Sequence, residues 1–468
     1  MAGKSSAIFS VSVSTSATGA ADVDSNFLPD LSGLTFTGMA TTTATVDAFQ
    51  SEELSHEEDH GRRTAGQDEL AAIGIKNTTG ADKFGAANGD FIRVMYPDSI
   101  TIAHRFRSSK GADPTTHGYG KILGSSMGLY EPKTGGSLVE SRATSANSVG
   151  SPSDHFIIAD GDEAGLQVGA PIRVRQNNST LDEYAIITQI GAAAGGNRTI
   201  KVHPKFSRQI MSGETINLCY AFYPVVGASN AKLHDFHMLM DMGGQGTTAT
   251  VRRLASLCRC SGFTLAQDNF GVGLEMRVRP ACMLQDDDNA NVVSSPEAPG
   301  ALLQHRFGAR VDMSDSHKGG SAPYGSTRAN LPNFDWSVSV DFDVSPSTPD
   351  TRGVLQTDSM EINNATASVS ITSEQDLNLQ KMIAKDELRT IMFGMGPAGD
   401  GEGGCFALLN AGRADGAANP GGGDANRIQQ ETTLRAVAEF DGCDLTGLSE
   451  SQKLLAQAPF MLILPVDA

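Results

Sequence analysis

A chain of 468 residues with 39% hydrophobic residues, 51 glycines and a formal charge of −18 at pH 7 has room for two or three domains. Its acidity argues against a phosphate-binding surface, because nucleic-acid affinity needs clustered Lys and Arg to displace counterions. Six cysteines (Cys219, Cys258, Cys260, Cys282, Cys405, Cys443) are too sparse for a disulfide scaffold, and no second Cys or His pair stands at zinc spacing from Cys258 and Cys260.

The opening "MAGKSSAIFSVSVSTS" lacks the apolar run of ~7–15 residues that a secretory signal needs, and nowhere do ~18 apolar residues follow one another. Synthesis and folding in a cytoplasm are therefore expected. Its "AGKSS" lacks the strand and the first glycine of a phosphate-binding loop. A strand is predicted over 34–49, followed by "SEELSHEEDHGRRTAGQDEL" at 51–70. Within it, His56 and His60 spell H-E-x-x-H. A zinc site of that type needs a helix packed in a core, so that residues i and i+4 face one metal. Here Glu58 and Asp59 fill the middle, Glu52 and Glu53 precede, and Gly61 would end the helix at once. The match is read as chance, and the stretch as an exposed charged loop.

"DSITIAHRF" (98–106) is strand-like, and "HGYGKILGSSMGLY" (117–130) reads as a glycine-weakened helix. Between about 150 and 222, "HFIIA", "GAPIRVR", "EYAIITQI", "RTIKVH" and "ETINLCY" are five short strands separated by Gly- and Asn-rich turns, the spacing of a small barrel or sandwich. His234 and His237 read as a strand edge rather than as metal ligands. Residues 257–279 form a hairpin around "AQDNFG", with Val272, Leu274, Met276 and Val278 alternating against polar neighbours. Phe334, Trp336, Val338, Val340, Phe342 and Val344 alternate in the same way. Residues 360–393 read as strand, helix, strand: Ser373 as N-cap, Asp376 at the third helical position, and Leu379, Met382 and Ile383 on one face.

"GMGPAG" at 394–399 matches G-x-G-x-x-G, but a dinucleotide site must open a helix, and Asp400-Gly401-Glu402 follows instead. Acidic or glycine-rich loops are expected at 285–300, 394–404 and 410–426, the last two flanking a short strand "CFALL". Leu434, Ala436, Ala438 and Phe440 alternate, and Phe460 to Leu464 is a continuous apolar run, as in a strand covered on both faces. No catalytic set, metal site or cofactor is expected. The first half shares the order strand, helix, strand with the second without residue identity, which suggests an internal duplication.

The order of "FDWSVSVDFDV", "MEINNATASVSITSEQDLNLQKMI" and "LRTIMF", followed by "TTLRAVAEFDG" and "PFMLILPV", resembles the tail tube proteins of long, non-contractile-tailed bacteriophages. Glu374, Asp376 and Leu379 stand where that family has an acidic turn into the helix packed on the sheet. "CRCSGFTLAQDNFGVGLEMRV" looks like the hairpin opening a tube repeat. The resemblance implies a mainly β chain of two tube-type sandwich or half-barrel repeats, each with a packed helix. They would occupy 1–149 (continuing at about 223–245) and 246–468, with a small β-barrel-like domain inserted at 150–222.

It further implies a virion structural protein, made in the host cytoplasm, whose copies form trimeric or hexameric rings stacked into a tube. Tape-measure protein and a tail terminator would be the lumen and end partners, DNA would pass without specific binding, and no membrane would be involved. Glu52, Glu53, Glu57, Glu58, Asp59, Arg62 and Arg63 would then form a ring-to-ring contact loop. The competing expectations are a capsid-decorating or baseplate protein and a bacterial surface or carbohydrate-binding β-protein.

Overall fold

The computed structural model describes residues 8–13, 35–39, 41–46, 100–106, 113–175, 182–226, 233–242, 251–268, 271–280, 282–286, 294–295, 310–314, 328–331, 335–346, 360–374, 379–380, 384, 387–396, 403–413, 419–422 and 428–466. Among these the chain is mainly β, with two short helices, α1 (Gly118–Gly124) and α2 (Glu450–Ala456), and further helical positions at Leu379, Gln380 and Ala384. Apolar–polar alternation at period two makes strands of these segments, and it also sorts each one's side chains between two faces.

Seven antiparallel strands form a sheet with one polar face. Its order is Thr41–Val46, Ile100–Arg105, Gly271–Arg279, the second half of Val251–Asp268, Asp335–Pro346, Met360–Glu374 and Ile428–Ala436. Its other face carries Ile100, Ile102, Leu274, Met276, Phe263, Leu265, Val338, Val340, Val369 and Ile371 into a core, all at most 1% exposed. Burial of each such side chain contributes about 1.5–3 kcal/mol.

A second, central sheet lies across that core. It runs Met127–Tyr130, Thr215–Pro224, Phe460–Pro465, Gly404–Arg413, Arg389–Met395, Arg310–Ser314 and Arg328–Asn330. Trp336 of the polar-faced sheet meets Phe393 of the central one with ring centroids 5.4 Å apart. Alternate residues of the central sheet turn the other way: Phe460, Leu462 and Leu464 join the first core, while Met461 and Ile463 join a second. Strand Phe460–Pro465 is thus buried on both faces throughout, as its unbroken apolar run predicts.

The second core is roofed by a barrel. Ser153–Ala159, Asn197–Phe206, Asp182–Ile190, Pro171–Arg175, the first half of Thr215–Pro224 and Ser141–Ala143 pair in that order, and a bridge between Ala146 and Ile157 returns to the first strand. All five strands expected between 150 and 222 are present. Phe156, Ile172, Ile186 and Val202 of the barrel share one cluster with Ala407, Met461, Ile463 and Leu455 of α2. The barrel is therefore built onto the central sheet, with Thr215–Pro224 belonging to both.

A smaller side sheet pairs Phe36–Met39, Ile8–Val13, Phe236–Met242, the first half of Val251–Asp268 and Cys282–Asp286, with Ser294–Ser295 parallel to Phe36–Met39. Strand Val251–Asp268 turns from this sheet into the polar-faced one at Leu257, whose φ of 50° is unusual for a residue with a branched side chain.

Four expectations are corrected. The helix read over 117–130 ends at Gly124, and Met127–Tyr130 is a strand, because its backbone pairs with Thr215–Pro224. Ser373 is no helix N-cap: it lies buried in Met360–Glu374, opposite Gln430, where the ladder outcompetes a cap. The alternation at 434–440 stops being strand after Ala436, and Ala438 is exposed. Around "CFALL" the strand runs from Gly404 to Arg413, and Asn419–Gly422 inside the glycine-rich loop pairs with Ile428–Ala436.

Candidate functional site

The feature with the most unusual chemistry is the solvent face of the seven-stranded sheet. The register sets its side chains in cross-strand rows. Thr101, Arg277, Gly262, Asp341 and Thr366 form one; Ala103, Glu275, Thr264, Ser339, Ser368 and Arg435 the next; Gly273, Ala266, Ser337, Ser370 and Thr433 a third. Small hydroxyl side chains dominate, and no large apolar group interrupts them. Glu275, Asp335, Asp341, Asp343 and Glu431 are exposed acids there.

Two cations on this face, Arg277 and Arg279, are engaged locally. Arg277 Nη2 lies 2.6 Å from Asp341 Oδ1 and donates to the Val340 carbonyl at 3.3 Å. Arg279 Nη1 donates to the Val344 carbonyl at 2.7 Å. Both guanidinium groups cross over the intervening strand, and Gly262 makes the first crossing possible. A Cβ there would sit 2.6 Å from Arg277 Nη2 and 2.6 Å from the Val340 oxygen, and the φ of 156° disfavours a side chain as well. Ser370 Oγ donates to Glu431 Oε1 at 3.2 Å. Since the Arg277–Asp341 pair is a third to a half exposed, its contribution to stability is only about 0.2–1 kcal/mol. The outer edge of Thr41–Val46 pairs with no strand among the described residues.

A buried ionic network sits at the corner between the side sheet and the polar-faced sheet. Arg259 Nε donates to Asp235 Oδ1 at 2.6 Å, with the two side chains 3% and 0% exposed. Arg259 Nη1 also donates to the Ser125 carbonyl at the end of α1, and Ser125 Oγ accepts from the Cys260 amide. Burial pushes the Asp235 carboxyl up to about 6, against the lowering pull of Arg259. Losing one partner of such a pair costs about 3–5 kcal/mol, because the other charge is left in a dry interior.

Between barrel and central sheet, His203 Nε2 lies 2.6 Å from Thr390 Oγ1, whose own proton goes to the Leu409 carbonyl at 2.8 Å. With the hydroxyl proton so used, His203 Nε2 is the donor in this contact. Burial pushes the Cys219 and Cys260 thiols up to about 12.

The structure brings few of the sequence-picked residues into a site. Leu379 is buried in the first core beneath the helical positions. Met382, Ile383, His56, His60, Glu52, Glu53, Glu57, Glu58, Asp59, Arg62 and Arg63 lie outside the described residues, as does the second half of "GMGPAG", Pro397 to Gly399. His237 is buried as the second residue of Phe236–Met242, a strand paired on both sides, opposite Ser12, rather than at a sheet edge. Cys258 and Cys260 both enter the first core, as alternation predicts. Among the described residues no group of three or more His, Cys, Asp or Glu could hold a metal ion, and no helix is long and apolar enough to cross a membrane. The Asp235–Arg259 pair escaped the sequence reading, since nothing local signals a contact across 24 residues. No protein-family model and no curated protein matches the sequence.

Proposed function

We propose that this chain is the structural subunit of a phage tail tube, assembled as rings around a lumen, and not an enzyme. One observation carries the reading: a broad antiparallel sheet whose core face is largely apolar presents a hydroxyl-rich, net acidic face to solvent, and its terminal strand Thr41–Val46 has no described strand on its outer edge. Such a sheet suits continuation from copy to copy, since an unpaired edge is an assembly surface wherever neighbours can reach it. A head-to-tail contact of this kind closes into a ring when the rotation permits.

The pairing pattern supports two repeats per chain. A strand of the polar-faced sheet (Ile100–Arg105), a helix (α1), and two paired strands of the central sheet (Met127–Tyr130 and Thr215–Pro224) follow in order. The same order recurs as Met360–Glu374, the helical positions at Leu379, Gln380 and Ala384, Arg389–Met395 and Gly404–Arg413. Tyr119, Ile122 and Leu123 in the first helix repeat the spacing of Leu379, Met382 and Ile383. Three such chains would complete a ring of six repeats. The polar-faced sheet would line the lumen, and the barrel, on the far side of the central sheet, would point outward.

An acidic, hydroxyl-rich lining with Arg277 and Arg279 engaged offers phosphates little to hold, so DNA would pass without being trapped. The charged stretch around Arg62 and Arg63 would meet the next ring. Reversing both charges should block tube growth and leave rings intact, and normal tubes from that variant would refute the contact. Negative-stain microscopy of the purified protein tests the whole reading: rings or tubes with a central hole are expected, and monomers stable at high concentration would overturn it.

A further inference from the structure

Strand Asp335–Pro346 outlasts one of its neighbours. On one edge it pairs with Met360–Glu374 as far as Pro346. On the other, pairing with Val251–Asp268 covers only Ser337 to Asp341, because that strand turns away through Gly262 and Leu257 toward the side sheet. Beyond Asp341 this second edge has no described strand against it. Carbonyls two residues apart in a strand face the same edge. The Val340 oxygen faces Gly262, so the Val344 oxygen faces the opening. An edge left unpaired in this way invites pairing by another chain, and native proteins obstruct such edges with charged side chains.

Here the obstruction comes from two strands away. Arg279 Nη1 occupies the Val344 carbonyl at 2.7 Å, and Arg277 Nη2 holds Val340 at 3.3 Å while paired with Asp341. Neither arginine is needed to pair its own strand, which is bonded on both edges by backbone. We propose that Arg277 and Arg279 guard this edge against strand addition by a second copy of this chain, confining self-association to other surfaces. The same chain supplies a candidate intruder, since Thr41–Val46 has a strand partner on one side only among the described residues. An incoming strand would have to displace Arg279 from Val344 and strip water from a guanidinium group. The proposal does not depend on the tube reading.

Sedimentation velocity at several protein concentrations, with thioflavin T fluorescence in parallel, tests it. R277A/R279A should show a several-fold larger fraction of high-mass species than the parent, growing with concentration and binding the dye. R435A removes a charge from the same face without opening the edge and should match the parent. Circular dichroism and Trp336 fluorescence establish that each variant is folded. Should the double variant not fold, R279A alone, which keeps Arg277 over Gly262, is read in the same way. A folded R279A or double variant that sediments like the parent overturns the proposal, and so does an equal effect from R435A.

Discussion

Ile463→Ala examines whether the barrel and the main sandwich unfold as one body. Ile463 is fully buried in the second core, opposite Ala221 on one neighbouring strand and Cys405 on the other. The substitution removes three carbons, about 2.4 kcal/mol at ~0.8 kcal/mol per buried methylene, and the cavity left behind raises the cost to roughly 3–4 kcal/mol. Trp336, the single tryptophan, is a built-in reporter of the other core, where its ring lies tilted against Phe393. Because Phe460–Pro465 and Thr215–Pro224 each contribute to both cores, damage on the barrel side must weaken the sandwich as well. Urea unfolding followed by Trp336 fluorescence and by far-UV circular dichroism should give coincident transitions, both moved to lower urea by the substitution. A Trp336 midpoint that stays in place while part of the dichroism signal moves would refute this coupling.

Three further outcomes follow from the geometry. Asp235 is pushed up to about 6 by burial, so the proton-dependent part of its stabilisation is fully present below pH ~4 and is lost as pH rises through 6. The destabilisation caused by Asp235→Asn, measured by urea unfolding, should therefore shrink between pH 4 and pH 7; a difference that grows with pH would contradict it. Gly262→Ala should lower the thermal midpoint by the equivalent of about 1–3 kcal/mol, because the new Cβ meets the Val340 carbonyl in an unfavourable backbone region; an unchanged midpoint would contradict the crowding. With thiols near 12, only about 1 in 10,000 of Cys219 and Cys260 is thiolate at pH 8, so iodoacetamide followed by mass spectrometry should label them only after unfolding.

Legibility in the sequence tracked how local the deciding interaction is. Trp336 to Val344 and Val272 to Val278 were readable because each lies on a sheet with one wet face, which prints the period directly. Phe460–Pro465 was readable for the opposite reason, a run without polar breaks in a strand covered twice. α2 was missed although Ser449 and Gln452 spell a capping box, and both of its reciprocal bonds form. Ser373 misled because a residue suited to a cap was claimed by a strand partner almost sixty positions away. The same non-locality hid the polar face as a surface: its rows join residues from six separate strands, and alternation shows which side of a strand is wet but not which strands lie side by side.

The corner at Leu257 to Gly262 shows why those missed contacts matter most. Within six residues the strand adopts a positive φ at Leu257, sends Arg259 to a buried Asp235, fastens Cys260 to both Ser125 and Ser126, and gives up a side chain at Gly262 so that Arg277 can cross. A positive φ at a residue with a branched side chain costs about 1–3 kcal/mol and persists only where the surroundings over-determine it. Here they do, since ion pair, helix end and two sheets all meet at that turn. The bend directs Val251–Ser256 into the side sheet and leaves Asp335–Pro346 paired on one edge only beyond Asp341, among the described residues. One corner therefore sets both the angle between the sheets and the position of the edge that Arg277 and Arg279 cover. Loosening it, as Asp235→Asn would, should disturb the guard as well as the fold, whereas R279A should disturb the guard alone.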